Sequence, residues 1–192
     1  MEHEFAQQVT DTVNSILEGV HTAIPGKILS YNPGKCQASV RPVMKYKTPD
    51  GESISYPDID GVPVVFPQYK SQKIAMAFPI YPKDDCLLII AEQSLDYWMY
   101  GQETSTNLRF DLSNAICIPG MFSGGSYISQ QAQKYEKIVI GWGEDTENDA
   151  RIWMRDHEIV LKANKDNWIR IDKDGMHQHL TIIDSWPNPL PE

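Results

Sequence analysis

Arg151-Ile152-Trp153-Met154-Arg155-Asp156-His157-Glu158-Ile159-Val160-Leu161-Lys162-Ala163 is two short runs of alternating character hinged on an Asp-His turn. Successive side chains of a strand point to opposite sides, so Ile152 and Met154 share one face, as do Ile159, Leu161 and Ala163. The rhythm continues outward. Strands are expected at 137–142, 150–155, 158–163, 168–172 and 176–183, with Ile169 and Ile171 sharing a face. Turns separate them at 144–148, 164–167 and 173–175. Each strand offers two or three apolar residues to one side. A single copy buries too little to offset ordering about 50 residues at ~1–2 kcal/mol each. Association of several identical chains supplies the missing surface and makes a rod; in the rival account the strands fold back on the preceding domain.

Upstream, Phe5, Val9, Val13, Ile16 and Val20 form a helical stripe over residues 4–20, stopped by Gly19 and then Pro25-Gly26. From Gly26 to Gly120 the pattern is all-β. Strands are expected at 27–31 and 37–43 around Asn32-Pro33-Gly34, then at 62–66, 73–78, 86–92 and 115–118, with a helical turn over 94–100. Leu87, Leu88, Ile89 and Ile90 read as a strand buried on both sides. Five or six such strands fit a small barrel or sandwich. Residues 121–133, rich in Ser, Gly and Gln, read as a linker or shoulder.

The 192 residues carry a formal charge of -9, and 41% are apolar. That much acid repels phosphate backbones, so no nucleic-acid partner is expected. Cys36, Cys86 and Cys117 are odd in number and widely spaced, which gives neither a thiolate zinc site nor a disulfide framework; buried free thiols are expected. The N-terminus has no basic region followed by an apolar one, and no apolar run approaches the ~20 residues that span a bilayer. Synthesis in a cytoplasm without export by the usual secretory route is the expectation.

Among side chains that could carry chemistry, His177 and His179 come first. At i and i+2 on a strand they point the same way, about 7 Å apart. Three chains around an axis would bring six imidazoles together, a set that suits an octahedral first-row ion such as iron. With every position filled, such an ion would be a staple and not a catalyst. The other reading puts Met176, Gln178 and Leu180 inside and both histidines in water, which would bury an amide needing partners. Asp58/Asp60, Asp84/Asp85 and Glu144/Asp145 lie beside Pro or Gly as solvated turn carboxylates. His3, His21 and His157 have no nucleophile in sequence register, and neither a nucleophile elbow nor a phosphate loop is present. Tyr97, Trp98 and Tyr100 have Asp96 beside them and no Lys or Arg, which favours core or subunit contact over base stacking. An enzyme is not expected. The end, Ser185-Trp186-Pro187-Asn188-Pro189-Leu190-Pro191-Glu192, lacks the donors to extend a sheet and either folds over the tip or docks a separate tip protein.

Five stretches in order carry a family resemblance: Ala23-Ile24-Pro25-Gly26-Lys27-Ile28-Leu29-Ser30-Tyr31, Asp60-Gly61-Val62-Pro63-Val64-Val65-Phe66-Pro67, Phe78-Pro79-Ile80-Tyr81-Pro82-Lys83-Asp84-Asp85, Ser94-Leu95-Asp96-Tyr97-Trp98, and Arg109-Phe110-Asp111-Leu112-Ser113-Asn114-Ala115. Over about residues 20–125 the chain resembles the central, gpV-like spike proteins of contractile-tailed phage baseplates, which usually carry Gly-Asp where Asp84-Asp85 stands here. The resemblance implies a mainly β homotrimer. An N-terminal helix (1–22) leads to an OB-fold collar (23–122), a shoulder (123–135) and an intertwined triple-stranded β-helix needle with its tip (136–192). It implies a mechanical piercing spike at the distal end of a tail tube, in a virion or tail-like particle made in a bacterial cytoplasm. Its partners would be the baseplate hub, the tail tube and the target cell's outer envelope. It also implies one iron ion per trimer, held by His177 and His179. A trimeric plug that seals the tube without piercing, or an OB-type binding module, would share the same collar.

Overall fold

The computed structural model describes residues 2–48, 50–70, 73–102, 108–121, 124–142 and 148–181, in two compact units, Met1–Ser123 and Gly124–Glu192. The first begins with α1 (Glu2–Glu18). Thr10 and Thr12 hydroxyls donate back to the carbonyls of Ala6 (2.9 Å) and Gln8 (2.8 Å), and the last turn closes with Gly19 N–H on Ile16. The expected stripe is there and is exposed throughout, with Phe5 at 70% and Ile16 at 64%.

The strands of this unit are β1 (Ala23–Asn32), β2 (Gln37–Pro42), β3 (Lys45–Lys47), β4 (Ser53–Ser55), β5 (Ile59–Pro63), β6 (Gln68–Tyr69), β7 (Ile74–Ala75), β8 (Asp85–Ile90) and β9 (Ala115–Pro119); α2 (Asp96–Tyr100) precedes β9. β3 with β4 and β6 with β7 are small hairpins. The other five form one curled sheet in the order β5-β2-β1-β8-β9, a half-barrel. Its two edges approach at one point: Val64 bridges Cys117 in parallel, and Val65 N–H donates to the Cys117 carbonyl at 2.9 Å. Ile28, Val40, Cys86, Leu88 and Cys117 fill the centre with essentially no exposure. All three cysteines are free thiols, Cys86 and Cys117 buried and Cys36 half-buried.

Two details explain how the sheet closes so tightly. At Gly26 a Cβ would stand 2.7 Å from Val40 Cγ1, so only glycine lets β1 cross β2 there. In the turn before β8 it is Lys83 that takes a left-handed φ of 81°, and the Asp84 carboxylate then accepts from Tyr81 N–H at 2.7 Å. One expectation is corrected. β8 is not buried on both sides: Cys86, Leu88 and Ile90 point in, whereas Ile89 is 40% exposed, because only the concave face of this sheet is covered.

The second unit opens with α3 (Tyr127–Lys134), inside the stretch read as a linker; the Ser126 hydroxyl caps it by accepting from Ser129 N–H at 3.3 Å. It packs on the first of five strands, β10 (Ile138–Gly141), β11 (Arg151–Arg155), β12 (Glu158–Asn164), β13 (Asn167–Asp172) and β14 (Gly175–His179). They form a sheet of their own, an antiparallel meander in sequence order. Asp156-His157 makes the β11–β12 turn with His157 at φ 57°, and Gly175 at φ 124° follows the β13–β14 turn. Within a single chain this is an open sheet, not an intertwined helix.

Candidate functional site

Strand register sorts the meander into two unlike faces. Ile138 pairs with Met154, Ile140 with Ile152, Ile152 with Leu161, Met154 with Ile159, Ile159 with Ile171, and Ile171 with Met176. These residues make one continuous apolar face. It is uncovered: Leu161, on the central strand, is 47% exposed, and Ile138 and Met176 at the margins are 62% and 66% exposed. Val160 is the one buried apolar side chain of this sheet among the described residues.

Val160 lies on the other face, in the row Val139–Trp153–Val160–Arg170–His177. A second row runs Gly141–Arg151–Lys162–Trp168–His179. Tyr127 of α3 stacks over the Arg151 guanidinium at 5.2 Å, which buries that arginine, and Asp149 pairs with it at 3.3 Å. Further along, Glu158 accepts from Arg155 Nε (2.9 Å) and Nη2 (3.2 Å) and from Trp153 Nε1 (3.3 Å). The Lys137 ammonium sits 4.4 Å from the centre of the Trp153 ring and 4.9 Å from that of Tyr135; its burial there pushes the amine below the usual lysine range. Tyr135, Lys137, Trp153, Arg155 and Glu158, with Val160, Lys162, Lys165, Trp168 and Arg170, line a groove of about 730 Å³.

Both predicted metal ligands fall on this polar face. His177 Nε2 is 3.2 Å from Asp172 Oδ1, and the His179 ring lies 6.3 Å from the Trp168 ring. Asp172 is held below the usual carboxylate range, first by the Asp174 backbone N–H and then by His177. Met176 and Gln178 point the opposite way, into the apolar face. The register therefore brings the two imidazoles together but sets them beside Arg170, on the side away from the surface that needs covering. No group of three or more His, Cys, Asp or Glu suited to a metal occurs among the described residues.

The turn carboxylates are engaged structurally. Asp58 takes both Arg41 nitrogens at 2.7 Å and is held below its ordinary pKa by them; Asp60 accepts from the Ser39 hydroxyl, and Asp85 pairs with Lys27 at 2.6 Å. Glu144, Asp145 and the end from Ser185 to Glu192 lie outside the described residues. His21 packs edge-on against Tyr56, and His157 faces Asp156 at 3.3 Å in an exposed turn. Tyr97, Trp98 and Tyr100 are not core: all three are exposed on α2. Trp153, Trp168, Lys137 and Arg170 escaped the sequence reading. Their signal was the second phase of the same alternation that revealed the apolar face.

No described helix is long and apolar enough to cross a membrane. No curated protein matches the chain. The family described as phage protein Gp138 N-terminal domain matches residues 24–120, which takes in the whole half-barrel from β1 to β9. The chain belongs to this family of phage proteins.

Proposed function

We propose that three copies of this chain turn their apolar sheet faces toward a common axis and form a narrow, rigid spike at the distal end of a contractile tail tube. Sheath contraction would drive it through the target cell's outer envelope. The observation that carries this reading is the uncovered apolar face of β10–β14, eight large apolar side chains in one patch, each 45–66% exposed. Full burial of such a side chain contributes roughly 1.5–3 kcal/mol, so covering these half-exposed ones adds about 1 kcal/mol each, repeated over the face.

In this reading the first unit is an OB-fold collar that joins the baseplate hub and tail tube. The order β5-β2-β1-β8-β9, with its parallel edge contact, is compatible with a partly open five-stranded Greek-key barrel. The exposed stripe of α1 offers a second surface to neighbouring copies. In the trimer the three sheets would form the sides of a β-helical prism, and bending it would break many hydrogen bonds at once. The role is passive and has no catalytic residue. The protein would be made in a bacterial cytoplasm and carried at the tip of a virion or tail-like particle. Iron on the axis is a proposal of the sequence resemblance, and no part of the piercing role runs through it.

Sedimentation equilibrium tests the assembly. The expected mass is about three times the 21.8 kDa of one chain, and negative-stain images should show a slim projection; a compact species of one-chain mass would overturn the proposal.

A further inference from the structure

We propose that the groove between Trp153 and Trp168 binds an acidic oligosaccharide, a short sugar chain bearing carboxylate or phosphate groups. The site is complete within one chain and does not rest on trimer formation. Its floor is Val160, 3% exposed. The two indoles lie on β11 and β13, displaced by two strands and two residues, hence about 12 Å apart. That is farther than one sugar ring spans, so the ligand must contain several. Flat, half-buried indole faces suit the C–H faces of pyranose rings, and the groove volume is in the range of small-ligand sites.

Charge specifies the rest. Five of the eight Lys and Arg residues from position 124 onward line this groove, Lys137, Arg155, Lys162, Lys165 and Arg170; Glu158 is the carboxylate of the lining, and Asp172 beside it pairs with Arg170 at 2.9 Å. Glu158 is occupied by Arg155 and the Trp153 indole. Lys137 and Lys165 have no carboxylate within ion-pair distance among the described residues. A neutral sugar would bring Lys165 no counter-charge, and an acidic one would. A longer nucleic acid would meet the -9 charge of the chain beyond the groove, whereas a tetrasaccharide is short enough to touch the groove alone. A second copy of the chain is better served by the apolar face on the other side of the same sheet.

The test is titration of the full chain, followed by tryptophan fluorescence and by the indole N–H resonances. Three probes are compared: a galacturonic acid tetramer, maltotetraose and an oligothymidylate of similar length. Saturable binding of the acidic tetramer, centred on Trp153 and Trp168, is expected. Lys165→Glu, in an exposed turn where folding is safe, should weaken it about tenfold, and Trp168→Ala by about tenfold or more, with Trp168→Phe partly restoring it. No saturable binding of the acidic tetramer, equal binding of maltotetraose, tighter binding of the oligothymidylate, or unchanged affinity in Lys165→Glu would each overturn the proposal. A chain that proves monomeric yet binds the acidic tetramer would retain the groove while removing the spike.

Discussion

Arg170 and His177 stand opposite each other on β13 and β14 and share one carboxylate: Arg170 Nε lies 2.9 Å from Asp172 Oδ2, and His177 Nε2 lies 3.2 Å from Asp172 Oδ1. The arginine contact is one of charge without hydrogen-bond alignment, since its buried Nε has no aligned partner. The carboxylate occupies only Nε2 of the imidazole, an arrangement common in metal-binding histidines, whereas the positive guanidinium beside it disfavours a dication.

In the proposed assembly, with the apolar face turned to the axis and these histidines on the other, the purified protein is expected to hold no iron at this pair. Elemental analysis of freshly prepared protein checks it. About one iron per three chains, lost in the double variant His177→Ala, His179→Ala, would mean that β14 turns its polar face to the axis and would restore the six-imidazole site.

The apolar face makes a sharper prediction about assembly. Leu161→Asp places a carboxylate in its middle, and burying an unpaired charge is costly enough to keep the copies apart. The sedimenting mass should fall to that of one chain. Lys162→Gln, one residue along and on the opposite face, should leave the mass unchanged.

In the half-barrel, Leu88 is fully buried and Gly26 lies against Val40. Leu88→Ala should lower unfolding free energy by about 2–5 kcal/mol through the cavity it leaves. Gly26→Ala should cost about 1–3 kcal/mol by overpacking, although it adds only a methyl group. Urea denaturation followed by far-ultraviolet dichroism measures both.

Asp111 caps the short 3-10 turn Leu112–Asn114, accepting from Ser113 N–H at 2.8 Å and Ser113 Oγ at 2.6 Å, and these bonds hold its carboxyl below the usual range. A lowered folded-state pKa means stability that is present above the ordinary carboxylate pKa and lost as pH falls through the lowered one. Asp111→Ala should cost about 1 kcal/mol near neutral pH. The difference from the parent should shrink in acid, as urea midpoints across pH will show.

Much of this architecture was legible because strand alternation is a local property. Ile152, Met154, Ile159 and Leu161 announce their shared face from spacing alone, and the cross-strand register then joins them. What spacing could not give was which elements are covered. Leu87 and Ile89 look like interior residues beside Leu88, yet the sheet has one concave side and they lie off it. The Ser- and Gln-rich run before Lys134 hid a helix, since its N-cap, Ser126, is one serine among several. His177 and His179 share a face, as residues i and i+2 of a strand do, but their neighbours there, Arg170 and Trp168, emerge only from the turn that sets the register.

Each strand of the second sheet bonds only to its neighbours in sequence. Loop-closure entropy for such pairing is small, and structures rich in local contacts form quickly. The meander can thus zip up as it leaves the ribosome, one hairpin after another, before any sister chain is near. In the proposed trimer the slow event is then an encounter between preformed sheets, whose rate rises with concentration, so many copies made together would assemble sooner.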